Sequence, residues 1–311
     1  MTKKYWVWAV LFVFFAAISF AVSKQYRQKV DETLVRGHYA FADVRQNIQR
    51  MHKIELTENG QNITLYRDGD FWHFKEAADY FVNNQMLMGL YDIINNAMII
   101  SMQPVDEKII ADLQQNGVIV KIFDKENKLL EEMSVAAESD KDKSRLAYKK
   151  GAHVIYRIGP VKIFSGKAEF WMPMPLLALA EDAIAGIYFN DTYISSEVFP
   201  EAKAQTMVVR QLLSLLQYLP YNGIALQQDF ATANFDAKPI SMNIYLKSGL
   251  VYKLNLYAFS NRYWLKINLA AEKIANMYVP EQIEQLRPYY ADWVFQLSNE
   301  DGKILYSVMA Q

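Results

Sequence analysis

The spacing of apolar positions changes character along this chain of 311 residues. Residues 5–22, YWVWAVLFVFFAAISFAV, form an uninterrupted run without charge, preceded by Lys3 and Lys4 and followed by SKQYRQK. As a helix, such a run reaches roughly 27 Å, enough for the hydrocarbon core of a bilayer. It is longer than the apolar core of a cleaved signal, and the small-residue sites at Ser19-Phe20-Ala21 and Ala21-Val22-Ser23 are weak. Tyr5, Trp6 and Trp8 lie near one end, where amphipathic rings favour the membrane interface. The run therefore predicts an uncleaved transmembrane anchor over 1–23. Residues 24–47 are polar with scattered apolar positions and read as a juxtamembrane stalk.

Beyond the stalk the period shortens to two. IELTENGQNITLYRDGDFWHF (54–74) alternates, with Asn-Gly and Asp-Gly turn signals, and predicts three strands in a meander. Helical spacing takes over from about Ala77, where Val82, Met86, Leu87, Leu90, Ile93 and Ile94 form one stripe. VDEKIIADLQQNG predicts a short helix stopped at Gly117. VIVKIFDKENKLLEEMSV and AYKKGAHVIYRIG each predict a strand pair, and LLALAEDAIAGIYF a helix followed by a strand.

The second half follows a similar plan. VVRQLLSLLQYL (208–219) predicts an amphipathic helix whose apolar positions can be laid over residues 82–93, which makes an internal duplication plausible. Strand-rich segments SMNIYLKSGLVYKLNLYAF and RYWLKINL follow, then helical sequence around AEKIANMYV and PEQIEQLRPYY. DWVFQLSNEDGKILYSV predicts a terminal hairpin turning at residues 299–302. Strands joined by hairpin-type turns, without a regular βαβ rhythm, place the chain in the α+β class. The expectation is a single N-terminal transmembrane helix followed by two lobes of antiparallel sheet with packed helices, 48–195 and 196–311.

Composition narrows this picture. With 52% hydrophobic and 14% aromatic residues, the body forms real cores rather than a disordered chain. A net charge of −1 offers no broad basic surface, so nucleic acid is not an expected partner. The absence of cysteine excludes disulfides, thiolate metal sites, thiol nucleophiles and a lipidated N-terminal cysteine. The alternating charges of ESDKDKSR (138–145) suit a solvated loop.

Candidate chemistry is sparse. The four histidines, His38, His52, His73 and His153, have no metal-ligand spacing; His73 and His153 read as solvent-facing. Ser165-Gly166-Lys167 is a turn without the phosphate-loop pattern, and no G-x-S-x-G appears. Glu131 and Glu132 fall on opposite faces of a strand, while Glu181-Asp182 ends an apolar helix and reads as a solvated face. No catalytic, cofactor-binding or metal residue is assigned, and no cofactor is expected. What stands out is aromatic: Phe71-Trp72, Phe170-Trp171, Tyr263-Trp264 and Tyr289-Tyr290-Ala291-Asp292-Trp293. Most of these suit a core; an exposed subset could line a peptide, glycan or lipid groove.

The strand–Gly turn–strand–Trp-bearing strand over Ile54 to Phe74, followed by the helix over Val82 to Ile93, resembles a bacterial family, domain-of-unknown-function family 4340. DLQQNGVIVKIF (112–123), HVIYRIG and MPLLALAEDAIAGI extend the resemblance over about residues 45–195. The proline usual after the family's "Gl" element is missing here, and the charged 138–145 segment departs from its pattern. The resemblance implies a membrane-anchored extracytoplasmic module beside gliding-motility-type ABC transporter components. It supplies no catalytic residues. It also bears on orientation, because the basic residues Lys24, Arg27, Lys29 and Arg36 after the run mildly favour a cytoplasmic body by charge alone.

The expectation is a single-pass protein of the bacterial inner membrane, held in lipid through residues 5–22, with its C-terminal body periplasmic. It would act as a non-catalytic accessory or binding module of an envelope or ABC-type transport complex. The alternatives are an enzyme acting on an envelope polymer, which requires carboxylates converging in a cleft, and a structural spacer.

Overall fold

The computed structural model of the protein describes residues 36–137, 143–161, 165–205, 207–232, 238–259, 261–272 and 278–310. The run 5–22 lies outside the described residues. Among the described residues no helix is long and apolar enough to cross a membrane.

The fold is α+β, with two antiparallel sheets and packed helices. The first part of the chain contains α1 (Ala42–Gln46), β1 (Lys53–Glu58), β2 (Gln61–Asp68), β3 (Phe71–Phe74) and β4 (Tyr80–Phe81). It continues with α2 (Asn84–Asn96), β5 (Met98–Pro104), α3 (Glu107–Asn116), β6 (Val118–Phe123), β7 (Leu129–Val135), β8 (Arg145–Lys149) and β9 (Val154–Gly159). These nine strands form one sheet in the order β4-β3-β2-β1-β6-β7-β8-β9-β5. The β1–β2 turn has Asn59 at φ 51° and Gly60 at φ 77°, the paired positive values that a tight hairpin requires and that Asn-Gly supplies at little cost. Ile54, Leu56, Val118, Val120, Ile122, Met133 and Val135 alternate along their strands onto a buried face. The α3 helix packs across β6, β7 and β8, its first turn capped by the Asp106 carboxylate, which accepts from the Lys108 N–H at 2.9 Å.

The rest of the chain adds α4 (Ala168–Trp171), β10 (Ile184–Phe189), β11 (Thr192–Ser195), α5 (Phe199–Gln205), α6 (Met207–Gln217), β12 (Gly223–Leu226) and α7 (Gln227–Thr232). It ends with β13 (Ile240–Leu246), β14 (Leu250–Phe259), β15 (Arg262–Ala271), α8 (Val279–Tyr290), β16 (Trp293–Leu297) and α9 (Asn299–Met309). The second sheet has the order β11-β10-β13-β14-β15-β16-β12. Its core face carries Met242, Ile244, Leu254, Leu256, Leu265, Ile267, Phe295 and Leu297, all buried. α9 packs on β13, β15 and α6, adding Leu305, Val308 and Met309 to this core.

By internal contacts, the described residues of Met1–Thr64 and Gln85–Lys167 form one compact unit. Those of Leu65–Asn84 and Ala168–Gln311 form a second, so the division passes through β2.

Several expectations from the sequence need correction. The terminal hairpin is not formed: after β16 the chain enters α9, because Ser298 caps a helix where Asn299–Gly302 reads as a turn. LLALA is extended rather than helical. The Leu176 and Leu179 N–H groups donate to the Leu219 and Leu216 carbonyls, each at 2.8 Å, and Leu176, Leu177 and Leu179 are buried there. Tertiary pairing thus overrides the helix propensity of Leu and Ala. Consequently Glu181 and Asp182 sit in a 3-10 turn before β10, not at a helix end.

The helix expected from Ala77 begins at Asn84; Ala77 closes a 3-10 turn and Tyr80–Phe81 form β4. β5, not expected from the sequence, follows α2 directly. In the 138–145 segment, residues 138–142 lie outside the described residues, but Ser144 and Arg145 are buried, so this end is not a solvated loop. Residues 37–40, read as stalk, pair along β5 through Gly37 N–H to Ile99 O and Ala40 N–H to Ala97 O, both 2.8 Å. Phe41 and Val44 of the same segment are buried.

Candidate functional site

Strand alternation gives the second sheet two unlike faces. Along ISMNIYL, Met242 and Ile244 enter the core while Ser241, Asn243 and Tyr245 point the other way. Pairing carries this polarity sideways. Tyr193 opposes Tyr188, Tyr188 opposes Asn243, Asn243 opposes Lys253, and Lys253 opposes Asn268. These five residues form one row across β11, β10, β13, β14 and β15. Four inter-strand steps of about 4.8 Å make the row about 19 Å long. Tyr193, Lys253 and Asn268 are exposed, and Tyr188 and Asn243 are half-buried.

The aromatic end of the row is built around one glycine. A Cβ on Gly186 would lie 2.3–2.6 Å from Oη, Cζ and Cε2 of Tyr193. The Tyr193 ring therefore rests on bare backbone, with 55% of the residue still exposed. Tyr245 stands edge-on to it, ring centroids 6.1 Å apart. The Tyr188 hydroxyl donates to Asp191 Oδ1 at 2.9 Å, and this carboxylate raises the Tyr188 pKa. Asn255, one step along β14 from Lys253, accepts the Ser241 hydroxyl at 2.8 Å. Among the described residues, the side chains of Asn243, Asn268 and Lys253 form no hydrogen bond.

The other end of this face is closed. Phe230 of α7 packs on Tyr257 and Trp264, at 5.4 and 5.3 Å between centroids. Lys266, also on this face, is buried and donates to the Tyr290 carbonyl (3.1 Å) and the Ala291 carbonyl at the end of α8. Burial lowers its pKa, against the pull of Asp292. An ammonium on C-terminal helix carbonyls is a structural contact.

A second aromatic surface lies on β2, β3 and β4. Tyr66 stacks on His73 at 5.6 Å, His73 meets Phe81 at 5.2 Å, and Phe81 meets Tyr289 at 4.8 Å. The turn at Asp79 ties this ladder down: the His73 Nδ1–H donates to the Asp79 carbonyl at 2.8 Å. Burial, with the Asp79 carboxylate adding to it, pushes the Tyr66 phenol up to about 12. Each ring of this ladder is stacked or tilted against the next.

The aromatic doublets of the sequence thus divide. Phe71 is exposed, Tyr289 is half-buried against Phe81, Trp72, Trp171 and Trp293 are core, and Tyr290 and Tyr263 pack within the second unit. The residues of the 19 Å row were not singled out in the sequence. The signal was present in the alternation of Ser241, Asn243 and Tyr245 against apolar neighbours.

The remaining sequence candidates have structural partners. Glu131 is fully buried and receives Lys149 Nζ at 2.9 Å; Lys149 also reaches Asp43 at 3.2 Å, tying α1 to the first sheet. Burial raises the Glu131 pKa against the Lys149 charge; Lys149 itself, opposed by burial, is held above its usual range by Glu131 and Asp43. Glu132 pairs with Lys150 at 3.0 Å. The Ser165-Gly166-Lys167 turn is pinned by Glu58, which accepts the Ser165 hydroxyl at 2.8 Å and the Gly166 N–H at 2.5 Å. His38 and His153 are exposed, and His52 and His73 are half-buried, so His73 departs from a freely solvated strand position. Among the described residues no three His, Asp or Glu side chains gather as metal ligands.

Comparison with protein-family models, curated proteins and solved structures gave no match.

Proposed function

We propose that this chain is a membrane-anchored, extracytoplasmic binding or accessory module of an envelope or ABC-type transport complex, holding its partner by surface recognition. The reading rests on the uncharged run 5–22 and on the pattern resemblance over residues 45–195. The observation that carries its binding half is the two-faced second sheet. One face is packed by α9, which in turn packs on α6; the other offers a row of aromatic, amide and ammonium groups on paired strands. Groups held on strands are positioned more firmly than groups on loops, which suits recognition.

The test is topology followed by capture. Reporters active only in the periplasm or only in the cytoplasm are fused after Gln311. Periplasmic activity alone is expected, together with cross-linking of the full chain to transporter subunits in native membranes. Cytoplasmic activity alone would reverse the orientation, and membranes that yield no envelope partner would remove the accessory role.

A further inference from the structure

We propose that the row Tyr193–Tyr188–Asn243–Lys253–Asn268, with Tyr245 beside it, is a binding face for an uncharged glycan chain. The inference deepens the binding-module reading and rests on it. Its basis is the chemistry of the row. An aromatic ring lying flat over a glycine presents its outer π-face, onto which the C–H face of a sugar ring stacks. Amides of Asn243 and Asn268 each donate and accept, as pairs of sugar hydroxyls or an acetamido group require. Lys253, between them, donates to hydroxyl oxygens.

Other occupants fit less well. A peptide strand binds by backbone hydrogen bonds at a sheet edge, and this row lies on a face whose strands are already paired with one another. A lipid surface calls for apolar groups, whereas three of the five positions of the row, Asn243, Lys253 and Asn268, are polar or charged. A polyanion calls for several cations, and Lys253 is the exposed cation of the row, with Lys266 turned to helix carbonyls. The length of about 19 Å, across five paired strands, suits an extended oligomer better than a single small molecule.

The full-length chain, in a detergent without a sugar headgroup, is titrated with the hexamer of N-acetylglucosamine and with maltohexaose by calorimetry. Saturable binding of at least one hexamer is expected. Tyr193→Ala should weaken it roughly tenfold, the scale of one lost stacking contact. Because Tyr193 covers Gly186, Tyr193→Ala can disturb β10; Asn268→Ala, at an exposed site, is therefore measured beside it and should weaken binding several-fold with an unchanged melting curve. The proposal is overturned if neither hexamer binds, if both variants bind like the parent chain, or if polyglutamate binds as tightly as the glycans. Loss of glycan binding with transporter cross-links intact sinks this inference alone; the reverse outcome sinks the accessory role alone.

Discussion

At the scale of single residues, buried charge in this protein is used to hold turns and helices in place. Asp124 follows β6 directly and organises the turn behind it: Oδ1 accepts from the Glu126 and Lys128 N–H groups at 3.0 and 2.9 Å, and Oδ2 receives Arg50 at 3.0 Å. Burial works to raise its pKa, but those donors together hold it below the usual aspartate range. A depressed carboxylate stabilises the fold fully above its unfolded pKa of about 3.9, and the contribution fades as pH falls through the lower folded value. Glu131 has the opposite sign: raised by burial, it is most favourable when protonated and costs stability once ionised. Urea midpoints of the parent chain and Asp124→Asn, compared at about pH 5 and about pH 3, should therefore converge at the acid end. Parallel behaviour of the two proteins would show that Asp124 does not carry the dependence. The Asx turn itself is legible in FDKENK, since donors two and four residues on are a local pattern. Arg50, 74 residues away, is not.

At the scale of elements, the sequence is read best where period and turn chemistry agree. The meander from β1 to β3 has both alternation and Asn-Gly, and it forms as expected. The chain end shows the opposite case. Asn299-Glu300-Asp301-Gly302 has hairpin-turn composition, yet Ser298 accepts the Asp301 N–H at 3.0 Å and donates to its carboxylate at 2.6 Å. That local cap starts α9, whose Leu305, Val308 and Met309 then reach the core. The glycine is required by contact, not by a turn: a Cβ on Gly302 would lie 2.3–2.4 Å from Tyr263 Cβ, Cγ and Cδ2. Gly302→Ala sets two effects against each other. Helix propensity gains about 1 kcal/mol, while overpacking costs about 1–3 kcal/mol. Since the obstructing atoms belong to the fixed base of the Tyr263 side chain, the net change should be destabilising. Ser298→Ala should cost about 1 kcal/mol through the lost cap. Chemical denaturation measures both, and a stabilised Gly302→Ala would mean the helix shifts freely away from β15.

At the scale of the whole molecule, grouping by contacts does not follow chain order, which a reading of successive segments cannot express. Leu65–Asn84 belongs by contacts with Ala168–Gln311, although both of its flanks belong to the other unit. The physical reason is aromatic burial. Tyr80 is buried with its ring centroid 5.1 Å from that of Trp293 and 5.7 Å from that of Phe295, and its hydroxyl donates to the Tyr289 carbonyl at 3.0 Å. Val82 and Trp72 are buried as well, and the Asn83 N–H donates to the Trp171 carbonyl at 2.8 Å. The second unit therefore has no complete core without a segment drawn from early in the chain. Residues 168–311 alone should lack a cooperative unfolding transition and the protease resistance of the full chain. Adding a peptide of residues 65–84 should restore both at least in part, because the missing side chains are contiguous in that peptide. In the full chain, Tyr80→Ala should cost about 3–5 kcal/mol, as expected for a large ring removed from a packed interior, whereas Tyr80→Phe should lose only the single hydrogen bond, about 1 kcal/mol. A cooperative, protease-resistant fold of 168–311 by itself, together with a mild Tyr80→Ala, would mean that the early segment covers this core without helping to form it.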